Sequence, residues 1–324
     1  MMTRRDLLTA SAAGGLAFAS APIARAQAYP TRPVRIIVGF TAGGTSDIAA
    51  RLMGQCLSEQ LGQPFIIENR PGAAGNIGTE AVVRAPADGH TLLMCASPNA
   101  INATLYDKLN FNFIRDIAPV AGFIRAPNVM VVHPTFPATT VPEFIAYAKT
   151  NPGKLSMGSA GVGSGNHLSG ELFKMTAGVN MIHVPYRSEA PALTDLLAGQ
   201  VHVSFRPIPP SIEYISAGRL RAVAVTTATY SEALPNVPTV GEFVPGYEAS
   251  SWYGVGAPKT TPAEIIEKLN SEINAVLTER KNQVLLADLG GKVMLGSPSD
   301  FGKFIAEETE KWAKVIKLAG IEPV

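Results

Sequence analysis

The chain has 324 residues, of which 46% are hydrophobic and 16% charged, and its formal net charge is +1. That length suits about two domains, the apolar content excludes disorder, and the 30 Gly and 25 Pro follow no repeat. With 27 basic against 26 acidic side chains, bulk charge offers no grip on nucleic acid or on an anionic membrane.

Residues 1–28 read as an export signal. Arg4 and Arg5 open it, an apolar stretch runs from Leu7 to Ala21, and Ala24-Arg25-Ala26 or Ala26-Gln27-Ala28 supplies a small-x-small cleavage site. Thr3-Arg4-Arg5-Asp6-Leu7-Leu8 is similar to a twin-arginine signal, with Leu7 where Phe is usual. An ordinary secretory signal holding two arginines is the alternative. Cleavage removes three arginines and one aspartate, so the mature chain is slightly acidic. No later stretch reaches the roughly 18 uninterrupted apolar residues of a membrane span, and a soluble periplasmic protein is expected.

Beyond the signal, strand, glycine-rich turn and helix alternate. Val34–Phe40 is a β-branched run of strand length. It enters Thr41-Ala42-Gly43-Gly44-Thr45-Ser46-Asp47 and then a helix with Ile48, Leu52 and Cys56 four apart, closed by Gly62. Phe65–Asn69 is the next strand, followed by Gly72-Ala73-Ala74-Gly75-Asn76 and a helix through Thr79, Val82 and Val83. Thr91–Ser97 is a third strand. The grammar restarts with Val129–Pro134, a helix from Val141 to Lys149, and the strand Leu155–Ala160 leading into Gly161-Val162-Gly163-Ser164-Gly165-Asn166 and another helix. Met181–Tyr186 runs into Arg187-Ser188-Glu189-Ala190 and a helix ending at Gly199, and Leu220–Thr226 is a further strand. The C-terminal part is helical, with starts expected at Thr261-Pro262 and at Ser299-Asp300. Alternating elements predict an α/β fold of two lobes, each a mainly parallel sheet flanked by helices.

Two flexible, small-residue turns in each half, three of the four rich in glycine, sit just before helices, at the carboxyl ends of parallel strands where such folds bind ligands. Helix N-termini carry unpaired N–H groups and partial positive charge, which suits a carboxylate; the competing reading is that the glycines only serve turn geometry. Catalytic patterns are absent. The loop from Gly158 to Asn166 lacks dinucleotide-binding spacing, and the Gly43 turn lacks the lysine of a phosphate loop. No GxSxG elbow surrounds Ser159 or Ser164, and the five histidines show no metal-ligand spacing; no cofactor is expected. Only His167 lies beside a candidate turn. Cys56 and Cys95 match no redox or zinc pattern, leaving two buried thiols or a bridge open.

The segments "RIIVGFTAGGTSDIAARLM", "FIIENRPGAAGNIGTEAVVRAPADGHTLL", "KLSMGSAGVGSGNHLSGELFK" and "HVPYRSEAPALTDLLAGQV", together with "LPNVPTVGEF" and "GYEASSWYGVGAP", resemble in order the tripartite tricarboxylate transporter receptors, the Bug-type periplasmic solute-binding proteins. The resemblance spans essentially the whole mature chain. It implies a hinged, type II periplasmic binding fold that closes on an organic carboxylate and delivers it to two integral membrane permease subunits. It implies one lobe from residues 29–126 plus 253–324, a second from 127–252, and hinges near 126 and 252. Ligand contacts are then expected at Thr41, Gly43, Gly44 and Thr45, with Asp47 ordering the loop as an N-terminal cap, at Gly75, Asn76 and Ser97, and at Ser159, Gly161, Ser164 and His167.

Two positions depart from the family pattern. Arg206 stands where many relatives carry an acidic residue, and Glu189 where small residues are usual. Arg206 is expected either to face the cleft and hold a second, distal carboxylate or to pair at the surface with Glu213. The expected function is a monomeric carboxylate receptor. The alternatives are a periplasmic enzyme on the same scaffold and a sensor for a membrane kinase.

Overall fold

The computed structural model describes residues 29–288 and 291–323, so the expected export signal and its cleavage sites lie outside the described residues. In chain order the elements are β1 (Val34–Val38), α1 (Thr45–Leu61), β2 (Phe65–Asn69), α2 (Asn76–Val83), β3 (Thr91–Ala96), α3 (Ser97–Leu105), α4 (Phe113–Asp116) and β4 (Ile117–Val132). They continue as α5 (Val141–Thr150), β5 (Leu155–Ser159), α6 (Gly165–Ala177), β6 (Met181–Pro185), α7 (Glu189–Leu197), β7 (Val203–Pro207), α8 (Pro209–Ser216) and β8 (Arg221–Val225). The last are β9 (Ser250–Pro258), α9 (Ala263–Thr278), α10 (Arg280–Asp288), β10 (Lys292–Val293) and α11 (Pro298–Leu318).

The fold is α/β, and its strands lie in the order β2-β1-β3-β9-β4-β7-β5-β6, with β8 and β10 also on β4. The strands of the two alternating series pair in parallel, β1 with β2 and β3, and β5 with β6 and β7. β9 and β4 run antiparallel between them. β4 pairs with β9 from Ile117 to Pro127, then with β7 and β8 from Asn128 to Val132. One 16-residue strand therefore belongs to both sheets, and it is buried along nearly all its length. That double burial suppresses the apolar alternation by which a strand is recognised, and Pro119, Gly122 and Pro127 break the run further, so only its last quarter reads as strand in the sequence.

Each half has its own core. Val34, Ile36, Val38, Leu92 and Met94 pack with Leu269, Ile273 and Leu277 of α9. Met130, Phe144, Met157, Phe173, Val203 and Phe205 form the other, but Ile101 and Leu105 of α3 and Trp312, Val315 and Ile316 of α11 belong to it too. The two halves thus share apolar surface beyond the two crossing strands.

Three local expectations shift. α1 buries Ala49, Ala50, Met53 and Leu57, whereas Ile48 is 46% exposed, so the core stripe is rotated from the 48/52/56 spacing. α11 starts a turn earlier than expected, because Ser297 caps it and exchanges hydrogen bonds with Asp300 at the third position. α9 starts at Ala263 with Pro262 in the cap position rather than Thr261. Cys56 and Cys95 are both buried free thiols, one in α1 and the other in β3.

Candidate functional site

The carboxyl ends of β1, β2 and β3 on one side and of β5, β6 and β7 on the other carry the candidate residues. After β1 the loop Thr41–Gly44 is exposed, and Gly43 has φ +82° with open space where a Cβ would stand. The cap position of α1 is Gly44, which has no side chain, so Asp47, expected as a cap, acts instead from the third helical position. Its carboxylate accepts from the Gly43 amide at 2.9 Å, from two N–H groups of Arg51 at 3.0 Å each, and from Asn69 Nδ2 at 2.9 Å. Asn69 Nδ2 also donates to the Phe40 carbonyl at 3.0 Å. Burial opposes ionisation of Asp47, but these donors outweigh it and hold the carboxyl down to about 2. Asp47 is an anion tied to the loop and the side chain is 3% exposed, so it orders the turn. The Thr45 and Ser46 amides that open α1 have no acceptor among the described residues.

The second turn is built by close packing. A Cβ on Gly39 would stand 2.7 Å from the Gly75 Cα, and one on Gly78 2.9 Å from the Gly39 Cα. Gly75 also needs φ +93°. These glycines let β1 and the start of α2 touch. Asn76 Oδ1 accepts from Asn102 Nδ2 at 3.0 Å, while Asn76 Nδ2 is buried without a partner. Ser97 Oγ accepts the Trp252 amide of β9 at 2.9 Å, which ties the start of α3 to the crossing strand.

In the other half Ser164 caps α6. Its Oγ donates to the Gly161 carbonyl at 2.7 Å and accepts the His167 amide at 3.3 Å. Ser159 Oγ accepts the Gly161 amide at 3.1 Å and lies 2.6 Å from His183 Nε2. His167 Nδ1 accepts the Gly163 amide at 3.1 Å, and its Nε2 lies 3.5 Å from Glu171 Oε1. His183 stacks on His167 with ring centroids 3.7 Å apart. Burial, then the neighbouring His167, pushes His183 down to about 4, so it is neutral at ordinary pH. Ser159, Ser164 and His167 therefore spend their polar atoms on the loop and on the neighbouring His183 and Glu171. Ser159 is 1% exposed and bonded to Gly161. The Gly165 and Asn166 amides that open α6 have no acceptor among the described residues.

Arg206, next to last in β7, is 2% exposed and does not pair with Glu213 at the surface. Its nearest acceptors belong to Glu189 at the start of α7, the side chain at 3.4 Å and the carbonyl at 3.5 Å, and its Nε has no partner. Tyr253 of β9 lies beside the Thr45 and Ser46 side chains of α1 and feels the Glu189 charge; burial above all pushes its phenol up to about 12. Sequence reasoning missed Arg51, Asn69, His183 and Tyr253. Only Arg51, four residues after Asp47, left a local signal. Among the described residues no cluster of His, Cys, Asp or Glu is arranged for a metal, and no helix is long and apolar enough to cross a membrane.

The family model of the tripartite tricarboxylate transporter family receptor matches residues 49–321. Protein BugT of Bordetella pertussis is 36% identical over 304 residues, covering 93% of both chains. The R. palustris protein Rpa4515, solved with adipate, is 41% identical with a TM-score of 0.81, covering 91% of this chain and all of its own. MatC from Rhodopseudomonas palustris, solved with malate, is 30% identical with a TM-score of 0.76, covering 89% of this chain and all of its own. On the match of sequence and fold, the chain belongs to the tripartite tricarboxylate transporter receptor family.

Proposed function

We propose that this chain is a periplasmic receptor that captures a small organic carboxylate between its two halves and releases it to a pair of integral membrane permease subunits. The observation that carries this reading is the pair of unpartnered helix starts, Thr45-Ser46 on α1 and Gly165-Asn166 on α6, each behind a loop fixed by its own side chains. Asp47 is bound to Arg51 and His183 is neutral, so neither loop adds a loose charge where the ligand would sit. Backbone donors at Thr45 and Ser46 and at Gly165 and Asn166, with Thr41, Gly43, Gly44 and Gly161 shaping the loops, Gly75, Asn76 and Ser97 nearby and bridging waters between, would replace the hydration of the acid. A handful of charge-assisted hydrogen bonds at roughly 1.5–3 kcal/mol each leaves about −8 kcal/mol after ordering costs, a micromolar complex.

The lobes are 29–126 plus 253–324 and 127–252, moving about β4 and β9 near residues 126 and 252. Residues 1–28 direct export and are removed near Ala26 or Ala28, and the mature receptor acts as a monomer with no catalytic step. The adipate and malate seen in relatives make linear dicarboxylates the first compounds to try. In a thermal-shift panel of mono-, di- and tricarboxylates, at least one acid raises Tm with concentration and is recovered unchanged. No shift with any acid, or conversion of the bound acid, would overturn the reading.

A further inference from the structure

The Arg206–Glu189 pair is poorly made for its burial. A guanidinium that is 2% exposed makes two contacts, both beyond 3.3 Å, where charge-assisted bonds normally lie near 2.7–2.9 Å. Its Nε is buried with no acceptor among the described residues. Such a cation is costly unless a better acceptor arrives. Among the described residues the carboxylate paired with Arg206 is that of Glu189, which is partly exposed at the start of α7 and whose charge is felt at Tyr253, beside the start of α1. An anion entering the cleft therefore meets a resident carboxylate, and like charges repel unless one gives way.

Resting on the carboxylate-receptor reading, we propose that Glu189 is a tethered stand-in for the far carboxylate of a ligand. It neutralises Arg206 in the empty receptor, and a dicarboxylate of suitable length displaces it and takes over the guanidinium. Glu189 then sets selectivity. A monocarboxylate has no group to trade for it, and an ω-amino acid offers a cation that Arg206 rejects once Glu189 has swung away. The loose geometry makes the exchange feasible, because a long ion pair gives up less than a tight bidentate one.

The test is calorimetric titration of the mature chain and of Glu189→Gln with hexanoate, adipate and 6-aminohexanoate, chains of equal carbon count. Glu189 lies at a partly exposed helix start, so its amide variant keeps the fold, which an unchanged Tm without ligand checks. The expected result is a gain of tenfold or more in adipate affinity for Glu189→Gln, a change under threefold for hexanoate, and loss of the adipate preference in Arg206→Gln. Equal gains for adipate and hexanoate would overturn the role of Glu189 while leaving the receptor reading intact. A wild-type preference for 6-aminohexanoate that vanishes in Glu189→Gln would also overturn it, by showing that Glu189 stays and reads a cation. Binding of none of the three to either protein, with no acid of the wider panel binding, would overturn both.

Discussion

The two helix starts offered to the ligand are held by opposite means. The turn before α1 is exposed and open, and an ionic knot of Asp47, Arg51 and Asn69 fixes it. The turn before α6 is packed and, among the described residues, carries no such ionic knot of Asp and Arg; it is held by hydroxyl and imidazole contacts of Ser159, Ser164, His167 and His183. Similar backbone offerings thus come from different chemistry. The first should be sensitive to strong acid and tolerant of added volume, the second sensitive to mild acid and intolerant of volume.

The largest separation is expected from matched glycine substitutions. Gly163 needs φ +74°, and a Cβ there would stand 2.0 Å from Leu105 Cδ2 of α3, a buried side chain. Gly163→Ala should cost about 3 kcal/mol in chemical denaturation, from strain and overpacking together. Next comes His183. Its pKa lies at about 4 in the folded chain against 6.5 ordinarily, so the unfolded chain binds the extra proton between those values. Stability is whole above pH 6.5 and falls as pH drops toward 4, by up to roughly 3 kcal/mol. His183→Gln should flatten that limb of the Tm profile, and an unchanged slope would remove the histidine from the explanation.

Asp47→Ala should cost about 2 kcal/mol, since it strips the Gly43 amide and Asn69 of their acceptor while exposed Arg51 returns to water. The Asp47 carboxyl is depressed to about 2 when folded, so its contribution is whole above pH 4 and vanishes as pH falls through 2. A wild-type loss confined to that window, absent in the variant, would confirm the ionic knot. The smallest effect belongs to Gly43→Ala. It shares the left-handed backbone but has open space around it, so about 1 kcal/mol is expected. Equal costs at Gly43 and Gly163 would erase the contrast between the turns.

What was legible in the sequence follows the range of the interaction. β1, β2, β3, β5 and β6 are short apolar runs, β1, β3 and β5 lead into glycine or small residues, and helices follow the turns after them. The crossing strands were not legible. β4 hides its first three quarters behind Pro119, Gly122 and Pro127, and nothing local says that one strand serves two sheets. At the site the sequence marked the turns but not what holds them. Asn69 reaches Asp47 across 22 positions and His183 reaches Ser159 across 24, so neither pairing has a local pattern. Tyr253 comes to Thr45 only because β9 runs beside β3. Arg206 and Glu189 were visible as unusual residues, yet their mutual contact depends on the parallel packing of β5, β6 and β7.

The most direct measurement compares a carboxylate with its uncharged twin. Titrating the mature chain with adipate and with adipamide by calorimetry keeps length and shape while removing the charge that unpartnered helix-start amides should attract. Capture by the α1 and α6 starts predicts micromolar binding of the acid and at least a hundredfold weaker binding of the diamide. Equal affinity for the two, or tighter binding of the diamide, would contradict it.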